Sequence, residues 1–388
     1  MTVREVGASE PAAASSGDAA VTARGAWIFS RPVDLAVFAL PAALSLAIVL
    51  LRAPSATPDD SPEWVWVTGV LLVDVAHVWS TAFITYLNPA ELRRHPERYW
   101  LVPGLGWVLG VVLYSLGGPG LFWRALAYLA VFHFVRQQYG WMALYRARAG
   151  DRSRLGAWID GAAIYAATLY PLVWWHAHLP RRFNWFLPGD FLSGVPGVVA
   201  DVAAVVYALC LCAYLVRALL AGARAPVPWG KHLLVAGTAA TWYVGIVAFD
   251  DDMAFTLTNV LAHGIPYAVL VFSYARFTAP REPGPAARLL GGGTAGAFVR
   301  FLACLWLIAY IEELLWDRGV WHERARLFGA GLDLGSLHVW LVPLLALPQL
   351  THYVLDGLFW RRAGNAGVRE WFGRMEGTPR GRSLSGKS

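Results

Sequence analysis

The chain has 388 residues and a formal net charge of +6, and it is 57% hydrophobic with only 15% charged residues. Soluble domains carry about a quarter charged residues, so this composition excludes the two or three soluble domains that the length alone would allow. Nearly all of the basic charge is arginine in short connecting segments, and no pattern in it suggests a nucleic-acid partner.

Residues 1–26 are rich in Ala, Ser, Thr and Gly and are expected to be a disordered tail. Apolar runs then follow near 33–51, 64–86, 99–117, 119–145, 156–175, 191–216, 230–249, 253–275, 297–315 and 335–360. Each is long enough to read as a bilayer-spanning helix. Trp64, Trp100, Trp141, Trp174, Trp316 and Trp360 fall near run ends, as rings at a bilayer interface do. The connecting segments alternate in charge. Arg93, Arg94 and Arg98, then Arg146, Arg148, Arg152 and Arg154, then Arg217, Arg224 and Lys231, and then Arg276, Arg281 and Arg288 occupy every second one. The segments between them hold Asp59 and Asp60, a Gly-Gly-Pro-Gly turn at 117–120, and Asp250, Asp251 and Asp252. By the positive-inside rule this predicts an all-α, polytopic bundle of about ten transmembrane helices over 27–362, multi-pass in a cell inner membrane, with both termini cytoplasmic. Residues 363–388 are polar, Gly-rich and basic and read as a flexible tail beside anionic lipid. Cys210, Cys212 and Cys304 lie within apolar runs and suggest neither a disulfide framework nor a thiolate metal site.

Ionisable residues inside hydrocarbon are costly and mark function. Here they are few and ordered. The second run carries Asp74 and His77, the fourth His133, Arg136 and Gln137, the eighth Asn259 and His263, and the tenth His352 and Asp356. Offsets of three and four put each group on one helix face. All four histidines lie on even-numbered runs, roughly eight to twelve residues from the cytoplasmic ends, or about 12–18 Å deep. His95, His176, His178 and His322 are expected in loops, and His232 and His338 near run ends. One isolated intramembrane His is ordinarily a helix-to-helix hydrogen-bonder. Four in one layer, two of them one turn from an acid, point instead to a metal site in the bundle core. His77, His133, His263 and His352 are the candidate ligands. Asp74 and Asp356 are either ligands or acceptors that hold a ring tautomer. Arg136 is expected to pair with one of those acids, and Gln137 to bridge through water. His176 and His178 resemble a chelating pair, but a solvated loop explains them. Glu312 and Glu313 are placed at the outer interface.

One intramembrane histidine per helix, at His77, His133, His263 and His352 with Asp74 and Asp356, resembles the histidine-motif membrane oxygenases. These are the fatty-acid desaturases, the hydroxylases and the carotenoid-cleaving membrane dioxygenases. The HxxxH and HxxHH clusters of desaturases are absent, and the spread of the histidines is more similar to the carotenoid dioxygenases. The resemblance implies non-haem iron, dioxygen, an apolar lipid or isoprenoid substrate entering from the bilayer, and a redox partner. From the residues alone zinc, copper and haem stay open. So do two other functions, a haem-bearing electron carrier and a proton-coupled transporter using the same Asp, His and Arg residues.

Overall fold

The computed structural model describes residues 27–52, 61–222, 226–361 and 363–375. The expected tail over 1–26 and the last residues, 376–388, lie outside the described residues. Among the described residues every regular element is helical, the arrangement that satisfies backbone polar groups where water is absent. The helices of eight residues or more are α1 (Arg31–Leu51), α2 (Glu63–Ile84), α3 (Pro96–Arg148), α4 (Arg154–Ala177), α5 (Gly197–Gly222), α6 (Trp229–Trp242), α7 (Asp252–Thr278), α8 (Thr294–Trp321), α9 (His338–Leu345), α10 (Leu347–Phe359) and α11 (Ala366–Met375). Six of them, α1, α2, α3, α5, α7 and α8, are long and apolar enough to cross a membrane. Helix occupies each of the ten apolar runs, with α9 and α10 sharing the last.

The 53 residues of α3 would measure about 80 Å if straight, against a hydrocarbon core of about 30 Å. The helix is broken at Gly118, whose φ of 64° lies in the left-handed region that favours glycine, and Pro119 follows. Its two halves run in opposite directions along α9 and α10. In the first half Gly106 faces Leu350, Gly110 faces Pro343, and the Trp107 indole donates to the Trp340 carbonyl at 3.2 Å. In the second half Phe122 and Leu126 pack with Val342 and Ala346, and His133 lies beside His352. The partner number falls from Leu350 at Gly106 to Pro343 at Gly110, and rises from Val342 near Phe122 to His352 beside His133, so the chain reverses at the Gly-Gly-Pro-Gly turn.

The connecting segments gather into two sets. In one, Arg52 pairs with Asp251, Ser61 bonds Asp252 at 2.7 Å, and Arg181 pairs with Asp250 at 3.1 Å. Just past the α3 turn, Trp123 stacks near Phe186, Trp316 and Trp321 in the same set. In the other set Arg148 donates to the Trp27 carbonyl at 2.6 Å, and Asn88 and Arg94 both hold Glu282 at 2.6 Å. Arg146, Arg217 and Lys231 converge there on Asp160. The Arg-rich segments belong to the second set, which also holds the start of α1 and helix α11.

Helix α11 departs from expectation, because it lies within the stretch read as a flexible tail. Val368, Trp371 and Phe372 recur at helical spacing and are buried, with Trp371 against Tyr274 at 5.4 Å and Trp360 at 6.1 Å. The basic, Gly-rich composition of the segment masked this short apolar stripe.

Candidate metal centre

His77 on α2, His133 on the second half of α3, His263 on α7 and His352 on α10 meet in the bundle core. One ring nitrogen from each lies within 4.8 Å of the others. The rings pack edge to face, with centroids 4.8 Å apart for His77–His263, 4.9 Å for His77–His352, 5.1 Å for His133–His263 and 4.6 Å for His133–His352. All four side chains are buried, at 0–5% exposure. Close helix approach makes this packing achievable. A Cβ on Gly264, next to His263, would lie 2.7 Å from Val73 and 3.3 Å from the His77 ring, so only glycine lets α2 and α7 come this near. Both helices reach the site through wider π-type turns, Trp66–Val75 before His77 and Thr256–Val260 before His263. Such turns often accompany functional sites.

What separates these four histidines from the other six is their unused nitrogens. Nε2 of His77, His133 and His352 and both nitrogens of His263 are buried with no hydrogen-bond partner. The others have ordinary partners. His176 bonds Tyr128 and the Leu172 carbonyl at 2.9 and 2.6 Å, His178 the Trp174 carbonyl at 2.7 Å, and His232 Tyr214 at 2.7 Å. His322 and His338 bond backbone carbonyls at 3.0 and 2.8 Å, and His95 is partly exposed, so water can satisfy its ring. The chelating look of His176 and His178 therefore has no counterpart in space. Buried polar atoms are normally satisfied, so four orphaned imidazoles aimed at one point are what a cation-binding site looks like.

The outer nitrogens are held. His77 Nδ1 lies 3.3 Å from the Val73 carbonyl, which directs its Nε2 inward. His352 Nδ1 bonds Thr81 Oγ1 at 2.8 Å, Thr81 bonds the Tyr267 hydroxyl at 3.0 Å, and that hydroxyl donates to Asp356. With its single proton given to Asp356, the Tyr267 oxygen accepts from Thr81, and Thr81 in turn accepts from the His352 ring. That order leaves the Nε2 lone pair of His352 facing the cluster. His263 is fixed differently: its ring stacks on Phe134 at 3.6 Å and 8°, and its carbonyl accepts from Gln137 at 2.9 Å. Thr81 carried no sequence signal, because a threonine four residues past a histidine is common in any apolar helix.

Neither acid belongs to the converging group. Asp74 Oδ1 is 3.6 Å from His77 Nδ1, too long for a hydrogen bond, and Asp356 Oδ1 is 3.8 Å from His352 Nδ1. Asp356 reaches the ring only through Tyr267 and Thr81, and Asp74 makes no side-chain hydrogen bond to His77. The expected pairing of Arg136 with one of these acids is overturned. Its guanidinium donates to the Tyr165 hydroxyl and lies 5.2 Å from the Tyr139 ring centroid, with no acid in ion-pair reach among the described residues. Arg136 follows His133 by three residues, and the turn carries it to the α4 side, away from Asp356. Asn259 bonds Thr258 at 3.0 Å within its own helix and takes no part in the cluster. Glu312 and Glu313, expected at the outer interface, face the inside of the bundle. They are 5% and 8% exposed, and Glu312 accepts from the indoles of Trp79 at 2.5 Å and Trp316 at 3.3 Å.

A cavity of 540 Å³ adjoins the cluster at His133, Tyr353 and Asp356 and extends past Leu144, Trp360 and Phe372. Its size falls within the usual range for small-molecule sites. Four neutral imidazoles suit zinc, copper, iron or nickel, and the cavity gives a ligand access beside His133. The Thr81–Tyr267–Asp356 chain makes one prediction specific. Tyr267→Phe or Thr81→Val should weaken metal retention by about 10–100-fold in a chelator-competition assay. Equal retention in both variants would show that the chain does not support the centre.

No protein-family model matches the chain, and no curated protein or solved structure matches it.

Proposed function

We propose that the chain is a metal-dependent enzyme of a cell inner membrane, crossing the bilayer ten times with both termini cytoplasmic. In this reading His77, His133, His263 and His352 hold a transition metal, iron favoured, in an oxygenase, hydroxylase or desaturase type of reaction on a lipid or isoprenoid. The observation that carries it is the set of four buried imidazoles with unpartnered nitrogens inside 4.8 Å. When bound, the metal supplies the redox chemistry that side chains lack. The chain's own residues do the rest. Phe134 and the Thr81–Tyr267–Asp356 chain fix ring orientation, and apolar walls such as Leu144 and Trp360 keep water from the reacting end of the cavity.

Iron is favoured over zinc because the adjoining space is largely apolar, which suits oxidation of hydrocarbon better than attack by water. A haem carrier fits poorly. A macrocycle needs an open slab between two axial rings, and here four rings stand 4.6–5.1 Å apart around one point. Protein purified without chelator should contain stoichiometric iron and no haem absorption bands. Metal-free protein, or a haem spectrum, would overturn this reading.

The ten-span arrangement is supported by the reversal at Gly118 and by the sorting of alternate connecting segments into two sets. Reporter fusions after residues 95 and 150 should therefore read cytoplasmic, and those after 180 and 250 external. Arg181 pairs with Asp250, so opposite signals at 180 and 250 would contradict both the packing and the topology.

A further inference from the structure

Arg136 lines the cavity one helical turn from His133, and an intramembrane guanidinium is costly unless it has a purpose. Its partners are a phenol and a ring face, both uncharged. The adjacent Gln137 also lines the cavity, and its buried Oε1 makes no hydrogen bond of ordinary geometry, with the His133 ring as its neighbour. Four neutral imidazoles add no negative charge, so a divalent metal held by them keeps its full charge. With Arg136 the local balance is positive even against Asp74 and Asp356. Asp356, Tyr267 and Tyr353 also line the end beside the histidines, with Asp356 tied to the Tyr267 hydroxyl; beyond them the wall is apolar at Leu144, Leu270, Trp360 and Phe372 and runs along α3 from His133 to Ala147, about 21 Å at 1.5 Å per residue. That length exceeds one hydrocarbon leaflet, about 15 Å or half of a 30 Å core.

We propose that the cavity takes a single-chain amphiphile whose oxyanion, a carboxylate or a phosphate, docks on Arg136 beside the four-histidine centre. The hydrocarbon chain fills the wall between Leu144 and Phe372. Chemistry then falls on the atoms next to the anionic group and not in the middle of the chain. The inference rests on the metal reading above and adds the class of substrate and its orientation. Arg361 also lines the cavity, and both guanidiniums are exposed, so position separates them: Arg361 lies past the end of α10, where the positive-inside pattern accounts for it, whereas Arg136 sits inside α3 one turn from His133.

The test is equilibrium binding of a radiolabelled long-chain carboxylate to metal-containing protein in detergent. The alcohol of the same chain and the matching alkyl phosphate serve as competitors. At least one anion should compete roughly tenfold or more better than the alcohol, the strength of a hydrogen bond to a charged group. Whichever anion competes better names the head group. Arg136→Gln should abolish the anion preference, Arg136→Lys should keep part of it, and Arg361→Gln should leave it. Equal competition by the alcohol in the wild-type protein overturns the proposal without needing any variant. So does loss of the preference in Arg361→Gln but not in Arg136→Gln, since the head group would then sit at the mouth. Metal content is measured on the same samples. Metal-free wild-type protein defeats the metal reading, whereas metal-replete protein without an anion preference defeats only this inference.

Discussion

Alanine at any one of His77, His133, His263 or His352 is expected to take bound metal from stoichiometric to background while the purified protein stays folded. The geometry allows no substitute ligand. Asp74 and Asp356 stand outside the converging nitrogens, and Asp356 is already engaged by Tyr267. Metal affinity depends on the whole preorganised set, so one missing ligand costs far more than a quarter of it. The four positions should differ in stability. His263→Ala also removes the 3.6 Å stack on Phe134 and empties fully buried volume, so its melting temperature should fall most. The other three should cost about 1–3 kcal/mol, the common range for core changes. His176→Ala is the control, since both of its nitrogens are used by Tyr128 and Leu172. Should all four variants retain wild-type metal, the cluster is a set of helix-to-helix contacts and no ligand site.

The sequence discloses this four-histidine cluster unusually well, for a physical reason. Polar residues in hydrocarbon are so expensive that each one is a signal, and helical periodicity turns spacing into position. Four histidines at one depth could therefore be placed together without knowing a single contact. What periodicity does not carry is azimuth. It put Arg136 one turn from His133 but could not say which neighbour lay on that side, and the answer was Tyr165 instead of an acid. The Glu312–Trp79 bond was hidden for the same reason, because it depends on how far α8 slides past α2. Thr81 was invisible because its role exists only through Tyr267 and His352, residues 186 and 271 positions away in sequence. Helix α11 was missed through composition: its stripe of Val368, Trp371 and Phe372 is only one turn long.

The charge alternation of the loops was legible, but its energetic centre was not. Asp160 reads as a lone acid at the start of an apolar run. In the fold it is fully buried and accepts from three cations, Arg146 at 2.5 Å, Arg217 at 2.9 Å and Lys231 at 3.0 Å. Arg146 and Arg217 also hold Asp151, so the network joins the α3–α4 connection to the end of α5 and the start of α6. Asp160→Asn would leave three cations facing Asp151 alone, with Lys231 only 6% exposed and stripped of its one ion pair among the described residues. Removing one partner from a buried charge cluster costs about 3–5 kcal/mol, well above the ~0–1 kcal/mol of an exposed pair such as Arg374–Glu370. Thermal unfolding in detergent should therefore show a large loss for Asp160→Asn and a negligible one for Glu370→Gln. Equal melting temperatures would mean that water reaches the network and screens it. The network shares no residue with the four-histidine cluster, so metal per folded molecule should be unchanged in Asp160→Asn. This pairing of large instability with intact metal content is the reverse of what alanine at His77, His133 or His352 should give.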